Sequence, residues 1–460
     1  MPFGAILFRA MVSTREMREI WSEENTIAKW IEVEKAIAAA QAKLEMIPSL
    51  AAEEICRSLD VHTLSPTLIR EQKQSVGHLM VSFLKAARSI CGESAEHLHV
   101  GPTTQDILDT GLSLQLKESH QILVGQIRKL KQILCALAGE HKSTLVMGRT
   151  HGQHAVPTTL GFILGSWATE IQDHLLRITA SEERWMTGGI SGAVGTQSAF
   201  VELGGVEKAR RLEQEVLLTL GLKRCLNSLQ GRVDRFAEVI NNLGNLCASL
   251  SKMGASFRYW QSAEVGEISL ADDPARHSSS TMPNKDNPES VEHLEGLAIM
   301  VRSFANAVQS VHIRDIRDSS RLPVLYTAIP QAFMMTSRAL ESLAENLEEM
   351  EVDSGKMRSN LYHPNVLGQA TAERLMIALY KKCGRRHEIH DRLHHCARRS
   401  SREGIAFKEA VASDEMLGDY LTSDELDQLF NLETYLGTAV SRTEETLQAI
   451  SDEEVRKRSR

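Results

Sequence analysis

The stretch SSSTMPNKDNP, residues 278 to 288, sets three consecutive serines ahead of Lys285 and Asn287. Hydroxyl, amide and ammonium groups on one short loop suit the holding of an anion, since each donates hydrogen bonds and the lysine adds charge. Asp286, between them, points elsewhere in an extended segment. The plainer reading is that the serines cap a helix starting near Glu289. A second polar stretch, GRTHGQHAVPTT from Gly148 to Thr159, places His151 and His154 on either side of Gln153. Imidazole titrates near neutral pH and suits a general acid or base. A metal site would need a third ligand, and no acidic or cysteine side chain lies nearby in the sequence. A third stretch, EHLHVGPTTQDILDT from Glu96 to Thr110, turns at Gly101 and Pro102 and offers Thr103 or Thr104 as the cap of a long helix. A helix N-terminus lined with hydroxyls is also a carboxylate site, because its N–H groups are unpaired and the helix dipole favours negative charge.

These stretches interrupt a chain that reads as helix almost throughout. Leu116, Leu123, Leu130 and Leu137 recur every seven residues, with Ile127 and Leu134 filling the second position. From Val233 onward, Phe236, Leu243, Leu250 and Phe257 form one track and Val239, Leu246, Met253 and Trp260 another. Leu294, Val301 and Val308 run beside Leu297, Phe304 and Val311. Seams at this spacing keep facing one partner over many turns, which predicts long helices packed nearly parallel or antiparallel in a bundle. Alternating strand patterns are lacking, so the fold class is all-α. Short helices punctuated by polar turns precede HVGPTTQD and follow SNLYHPN. The breaks divide the chain into an N-terminal helical domain (1–102), a central long-helix bundle domain (103–361) and a C-terminal helical domain (362–460).

Composition narrows the partners. The chain has 460 residues, 42% of them apolar, and a formal net charge of -8 without a basic stripe. That suits a globular protein acting on small molecules and argues against nucleic acid or an anionic membrane as the principal partner. No run approaches the roughly 20 apolar residues of a membrane span, and the N-terminus lacks a basic lead and a cleavage site. The seven cysteines are scattered and never spaced as CxxC, which points to a reducing, cytoplasmic setting. RRHEIHDRLHHCARR (385–399) puts His387, His390 and His394 on one helix face, but its His-Glu-Ile-His is one residue short of the zinc-protease spacing and reads as a solvated face.

Taken together and in order, the three polar stretches resemble the fumarase/aspartase superfamily, whose members eliminate fumarate from succinyl compounds or run related additions. SSSTMPNKDNP is similar to the superfamily loop written G-S-S-x-M-P-x-K-x-N. RTHGQHAVPTT is similar to the histidine segment of the adenylosuccinate lyase branch, and HVGPTTQDILDT to a region shared by adenylosuccinate lyases and 3-carboxy-cis,cis-muconate cycloisomerases. STREMREIWSEENTIAKWIEVEKAIAAAQAKLEMIP and GGISGAVGT (Gly188 to Thr196) also resemble that joint branch, so the likeness runs over nearly the whole chain. The resemblance implies a homotetramer with a twenty-helix core, active sites assembled from three subunits, a small dicarboxylate-containing substrate, and neither metal nor organic cofactor. It assigns Ser279 as general base and His151 as the acid that protonates the leaving group. Lys285 and Asn287 match carboxylate-binding positions; Thr103, Thr104, Thr150 and Gln153 match positions around substrate carboxylates; His78 and His99 match two further site histidines. Arg314 and Ser319, in RDIRDSSRLP, match an arginine and a serine of the site.

Departures from the branch bear on the substrate. Ser278 stands where the loop usually has glycine, Met11 and Val12 where adenylosuccinate lyases carry an Arg-Tyr phosphate grip, and Gly77, His78 and Leu79 where they carry Arg-His-Asp. The downstream arginine of the RDIRDSSRLP region is displaced, with Arg321 the nearest candidate. Two missing cations would each remove a charge-assisted contact of roughly 1.5 to 3 kcal/mol, which argues against adenylosuccinate itself. The expected reaction is fumarate release from a succinyl, chiefly N-succinyl, substrate. The alternatives are a 3-carboxy-cis,cis-muconate cycloisomerase, against which the T-H-G segment argues, and an inactive structural homologue, against which the intact Ser279, Lys285, Asn287 and His151 set argues.

Overall fold

A computed structural model describes residues 6–225, 232–271, 279, 281–282, 285, 287–311 and 318–458. Helix dominates it, with nineteen α-helices among the described residues, so the chain is all-α as its periodicity predicts. The helices used below are α1 (Glu23–Lys43), α2 (Leu79–Cys91), α3 (Thr104–Glu140), α4 (Leu160–Trp185), α5 (Ser198–Leu220), α6 (Asp234–Gln261), α7 (Glu289–Ser310), α8 (Arg321–Glu348), α9 (Ser354–Leu361), α10 (Pro364–Cys383) and α11 (Arg386–Glu403). Helix α3 has 37 residues, about 55 Å at the usual rise.

The heptad tracks are buried. Leu116, Leu123, Ile127, Leu130 and Leu134 of α3 are fully enclosed, as are the four positions of each track on α6; Leu137 and Phe304 are half-buried. Helix α7 ends at Ser310, so Val311 lies just beyond its seam. The N-terminal segment is less fragmented than its polar turns suggest. Helix α1 runs 21 residues, started by the Ser22 hydroxyl, which accepts the Asn25 N–H, and helped by Glu23 and Glu24 at the positive end of the dipole.

The chain forms two compact units, each built from three stretches. The first comprises residues 1–128, 174–251 and 293–342. Its core joins Trp30, Ile37, Phe83, Leu108, Phe200 and Leu217, with the Trp30 and Phe83 rings edge to face at 6.0 Å. The second comprises residues 129–173, 252–292 and 343–460. There Trp167 of α4 stacks on Trp260 of α6 at 5.3 Å, and Leu375, Leu379, Ile389, Leu393 and Phe407 make a separate C-terminal core.

Short strand pairs qualify the all-helical reading. In the second unit β1 (Leu145–Thr150) pairs antiparallel with β2 (Gln153–Thr159), and β3 (Ile268–Leu270) with β4 (Met350–Val352). In the first, Thr187–Gly188 pairs parallel with Lys223–Arg224. The β1–β2 hairpin escaped the periodicity argument because Gly148 and Pro157 break its alternation, and the register shifts between Met147 and Arg149. Among the described residues no helix is long and apolar enough to cross a membrane, and none of the seven cysteines is in a disulfide.

Close backbone approach sets one position. A Cβ on Gly161, at the start of α4, would lie 2.5 Å from the Ala138 carbonyl oxygen and 2.5 Å from the Lys142 Cα. Backbone cannot move aside as a flexible side chain can, so Gly161→Ala should cost about 1–3 kcal/mol, read as a lower urea midpoint without a change in secondary-structure content.

Candidate active site

The first stretch lies in the first unit, where a buried aspartate organises it. The Asp106 carboxylate accepts the Thr103 N–H (2.9 Å), the Ser191 N–H (3.1 Å) and the Gly192 N–H (2.9 Å). It thereby closes the first turn of α3 and holds the GGISGAVGT loop to it. Capping thus comes from Asp106 rather than from the hydroxyls of Thr103 or Thr104, which are half-buried and make no cap bond among the described residues. A carboxylate accepts several N–H donors at once and carries the charge that a helix N-terminus favours, which a hydroxyl does not. Just before it, Gly101 sits at φ +101° with the Phe200 ring 2.5 Å from where a Cβ would be, so only glycine fits this turn.

His99 precedes that turn at φ +59°. Its Nδ1 lies 2.6 Å from Oε1 of the fully buried Glu34 carboxylate on α1. Burial pushes the His99 pKa down, but the Glu34 charge and hydrogen bond, with Asp106 behind them, outweigh it and raise the pKa above the ordinary histidine value. His78, the other candidate histidine of this unit, is exposed and caps α2, its Nδ1 accepting the Val81 N–H at 3.3 Å. Ser319 is exposed just ahead of α8, and Arg314 lies outside the described residues.

The second and third stretches lie in the second unit. The hairpin turn is the dipeptide His151-Gly152, at φ +55° and +73°, between the paired Thr150 and Gln153. Two positive φ values define the two-residue turn that matches strand twist, and histidine tolerates this region better than bulky residues do. The turn presents His151, Thr150 and Gln153 on the surface, while His154 is half-buried. At the base of the turn Arg149 makes a bidentate pair with Glu267, Nη1 to Oε2 at 3.0 Å and Nη2 to Oε1 at 2.6 Å. The Glu267 side chain is fully buried and also accepts from Asn360 Nδ2 at 3.1 Å, while Tyr259 stacks on the guanidinium at 5.4 Å. Glu267 immediately precedes β3, which leads to the serine loop. The hairpin and the root of that loop therefore share one anchor.

On the loop, Ser279 is half-buried and its Oγ accepts two backbone N–H groups, from Met282 at 3.0 Å and Thr281 at 3.4 Å. The Lys285 N–H bonds the Met282 carbonyl and the Glu289 N–H the Asn287 carbonyl, bending the loop into the start of α7. Lys285 is exposed and Asn287 half-buried. Ser278, which stands at the expected glycine position, lies outside the described residues. Sequence reasoning passed over Arg149, Glu267 and Asn360 as supports; an arginine beside the histidine turn and a glutamate heading the β3 strand were the available signal. Of the basic cluster, His390 and His394 are exposed and line a cavity of about 930 Å³ beside α10 and α11.

Comparison with known proteins follows the same lines. The sequence matches the family described as Lyase over residues 9–303 and the family described as Adenylosuccinate lyase C-terminus over residues 368–446. It is 34% identical to an adenylosuccinate lyase of Methanocaldococcus jannaschii, covering 95% of this chain and 94% of that one. It is 32% identical to an N-acetyl-S-(2-succino)cysteine lyase of Dickeya dadantii, covering 94% of each. Among solved structures, the 3-carboxy-cis,cis-muconate lactonizing enzyme of Pseudomonas putida superposes with a TM-score of 0.87 at 27% identity, over 97% of this chain and 99% of that one. A fumarate lyase from Mesorhizobium sp. BNC1 superposes at 0.86 with 28% identity, over 95% and 98%. The chain is a lyase and belongs to the fumarase/aspartase superfamily, in the adenylosuccinate lyase branch.

Two outcomes follow from the buried charges. Arg149→Met strands the Glu267 carboxylate and should cost about 3–5 kcal/mol, with faster amide exchange in residues 145–159. His99, whose folded pKa is raised, contributes stability present below the unfolded histidine pKa and lost as pH rises through the folded one. The urea-midpoint gap between the parent and His99→Asn should therefore be larger at pH 6 than at pH 8.5; a gap that grows with pH contradicts the pairing with Glu34.

Proposed function

We propose that this protein releases fumarate from a succinyl compound by anti-elimination, with Ser279 as general base and His151 as general acid. The observation that carries the reading is the pair of backbone N–H groups on Ser279 Oγ. Donors fixed on an oxygen favour its charged form, and a serine hydroxyl needs such help to become a base near neutral pH. In the reaction the Ser279 alkoxide takes the proton from the carbon next to a carboxylate. The electron pair left behind spreads onto that carboxylate, giving a dianion that Lys285 and Asn287 stabilise where the charge appears. The pair then forms the double bond of fumarate as the bond to the leaving atom breaks, and His151 gives that atom its proton. Thr103, Thr104, Thr150, Gln153, His78, His99, Arg314 and Ser319 bind the substrate around this centre.

The leaving atom is nitrogen in the leading form of this reading. Sulfur is the close variant, supported by the likeness to N-acetyl-S-(2-succino)cysteine lyases. Cycloisomerisation of a carboxylated muconate is the second reading, favoured by the superposition on the Pseudomonas putida lactonizing enzyme. The division at about residues 102 and 361 and assembly as a homotetramer belong to the same proposal. Ile299 and Met300 on α7, 55% and 42% exposed, are apolar surface that such assembly would cover.

The test is a panel of N- and S-succinyl compounds followed by fumarate absorbance, with ring products analysed from 3-carboxymuconate. Ser279→Ala and His151→Gln, assembled like the parent, should each lower kcat by about 100-fold or more. Turnover by Ser279→Ala equal to the parent's would remove serine from the base role.

A further inference from the structure

Helix α1 grips the turn ahead of α3 at two points. Glu34 and Gln41, both fully buried, lie two helical turns apart on one face of α1. Glu34 Oε1 meets His99 Nδ1 at 2.6 Å, and Gln41 Nε2 donates to the Val100 carbonyl at 2.7 Å. Between these grips His99 is held at φ +59°, a region that residues other than glycine seldom occupy. Such a conformation persists only where its surroundings over-determine it. The grip is costly as well, since Glu34 Oε2 and Gln41 Oε1 are buried without a partner. Apolar contacts would join helix and turn at less cost, so a polar grip here serves more than stability.

With Nδ1 committed to Glu34, Nε2 is the nitrogen left to meet a ligand. It has no partner among the described residues and is not enclosed, the side chain being 13% exposed. Among the described residues His99 is also the cation paired with Glu34. A carboxylate buried without a positive partner is expensive, which favours the imidazolium over the neutral ring. The charged groups bearing on the ring are Glu34 from α1 and Asp106 from α3, which together outweigh its burial. Glu213 of α5, beside Arg224, stands behind Asp106. We propose that Glu34 is a positioning residue for substrate binding: its grip makes His99 an imidazolium that donates Nε2–H to a substrate carboxylate, a role resting on the reading of His99 as a substrate contact. Thr103 and Thr104, at the start of α3, follow His99 closely and offer hydroxyls to the same acid group.

The experiment measures fumarate binding by calorimetry from about pH 6 to pH 9, a range over which fumarate stays doubly ionised. The His99 titration is followed in parallel by NMR of isotope-labelled histidine, its signal assigned with His99→Asn. In the parent, Kd should rise about tenfold per pH unit once pH passes the His99 pKa. Glu34→Gln keeps an acceptor for Nδ1–H but not the charge. It should move the His99 titration to lower pH, and its Kd should draw away from the parent's as pH rises, by about 10-fold or more before levelling off. Glu34→Asp, which keeps the charge at a longer distance, should shift both readings the same way by less, and stands in if the glutamine variant does not fold. His99→Asn should bind weakly without this pH dependence, which separates the effect from His78 and His97. With any compound that yields fumarate, the loss in Glu34→Gln should fall on KM rather than kcat, because proton transfer is given to Ser279 and His151. A Kd gap constant with pH, as a purely structural role would give, overturns the proposal. So does a His99 titration unmoved in Glu34→Gln, or a parent that does not bind fumarate. Failure of every succinyl compound to release fumarate counts against the reaction alone, and a pH-dependent gap in fumarate binding then still supports Glu34.

Discussion

A carboxylate with no access to water must be met by donors on every side, and Glu267 is met in that way. Its two oxygens take the Arg149 fork and Asn360, so a strand hairpin, the entry to the serine loop and helix α9 are held at one point. The attraction is strong because solvent is excluded, and the same exclusion makes the loss of any partner expensive. In the other unit Asp106 does the equivalent for the threonine turn, gathering three backbone N–H groups from two loops. Neither carboxylate is among the residues that would touch substrate. They fix the backbone from which His151, Ser279, Thr103 and Thr104 project.

This division of labour explains how exposed polar turns can hold a geometry suited to chemistry. His151 sits on a two-residue turn whose positive backbone angles leave little freedom, and the ion pair at its base prevents the hairpin from tilting. Ser279 is held differently. Its hydroxyl is the acceptor for the N–H groups that follow it, so the local fold of the loop is also the arrangement that favours an alkoxide. A substrate carboxylate would find Lys285 and Asn287 on the same loop. In the proposed reaction binding and activation are coupled, since the loop that would receive the acid group also carries the proposed base.

The relatives fix the reaction class more firmly than the substrate. Adenylosuccinate lyases and N-acetyl-S-(2-succino)cysteine lyases match over almost all of the chain at nearly the same identity. The chain departs from the branch pattern at several of the positions, Met11 and Gly77 among them, where adenylosuccinate lyases carry charged residues.

Periodicity and composition alone determined the all-α class, the buried faces of α3, α6 and α7, and the positions of the three polar stretches. Those properties are local or follow from one repeating constraint, the burial of a seam. Order and spacing of the stretches were enough for the resemblance to the superfamily. The β1–β2 hairpin, the capping of α3 by Asp106 instead of a threonine, the anchoring of Arg149 to Glu267 and the pairing of Arg321 with Asp109 were decided only by tertiary structure. Apart from the hairpin, each joins residues distant in the chain, from 85 apart for Asp106 and Ser191 through 118 for Arg149 and Glu267 to 212 for Asp109 and Arg321. A charge's partner depends on which segments are brought together and on how completely water is removed, and neither quantity is written in the neighbourhood of the residue itself.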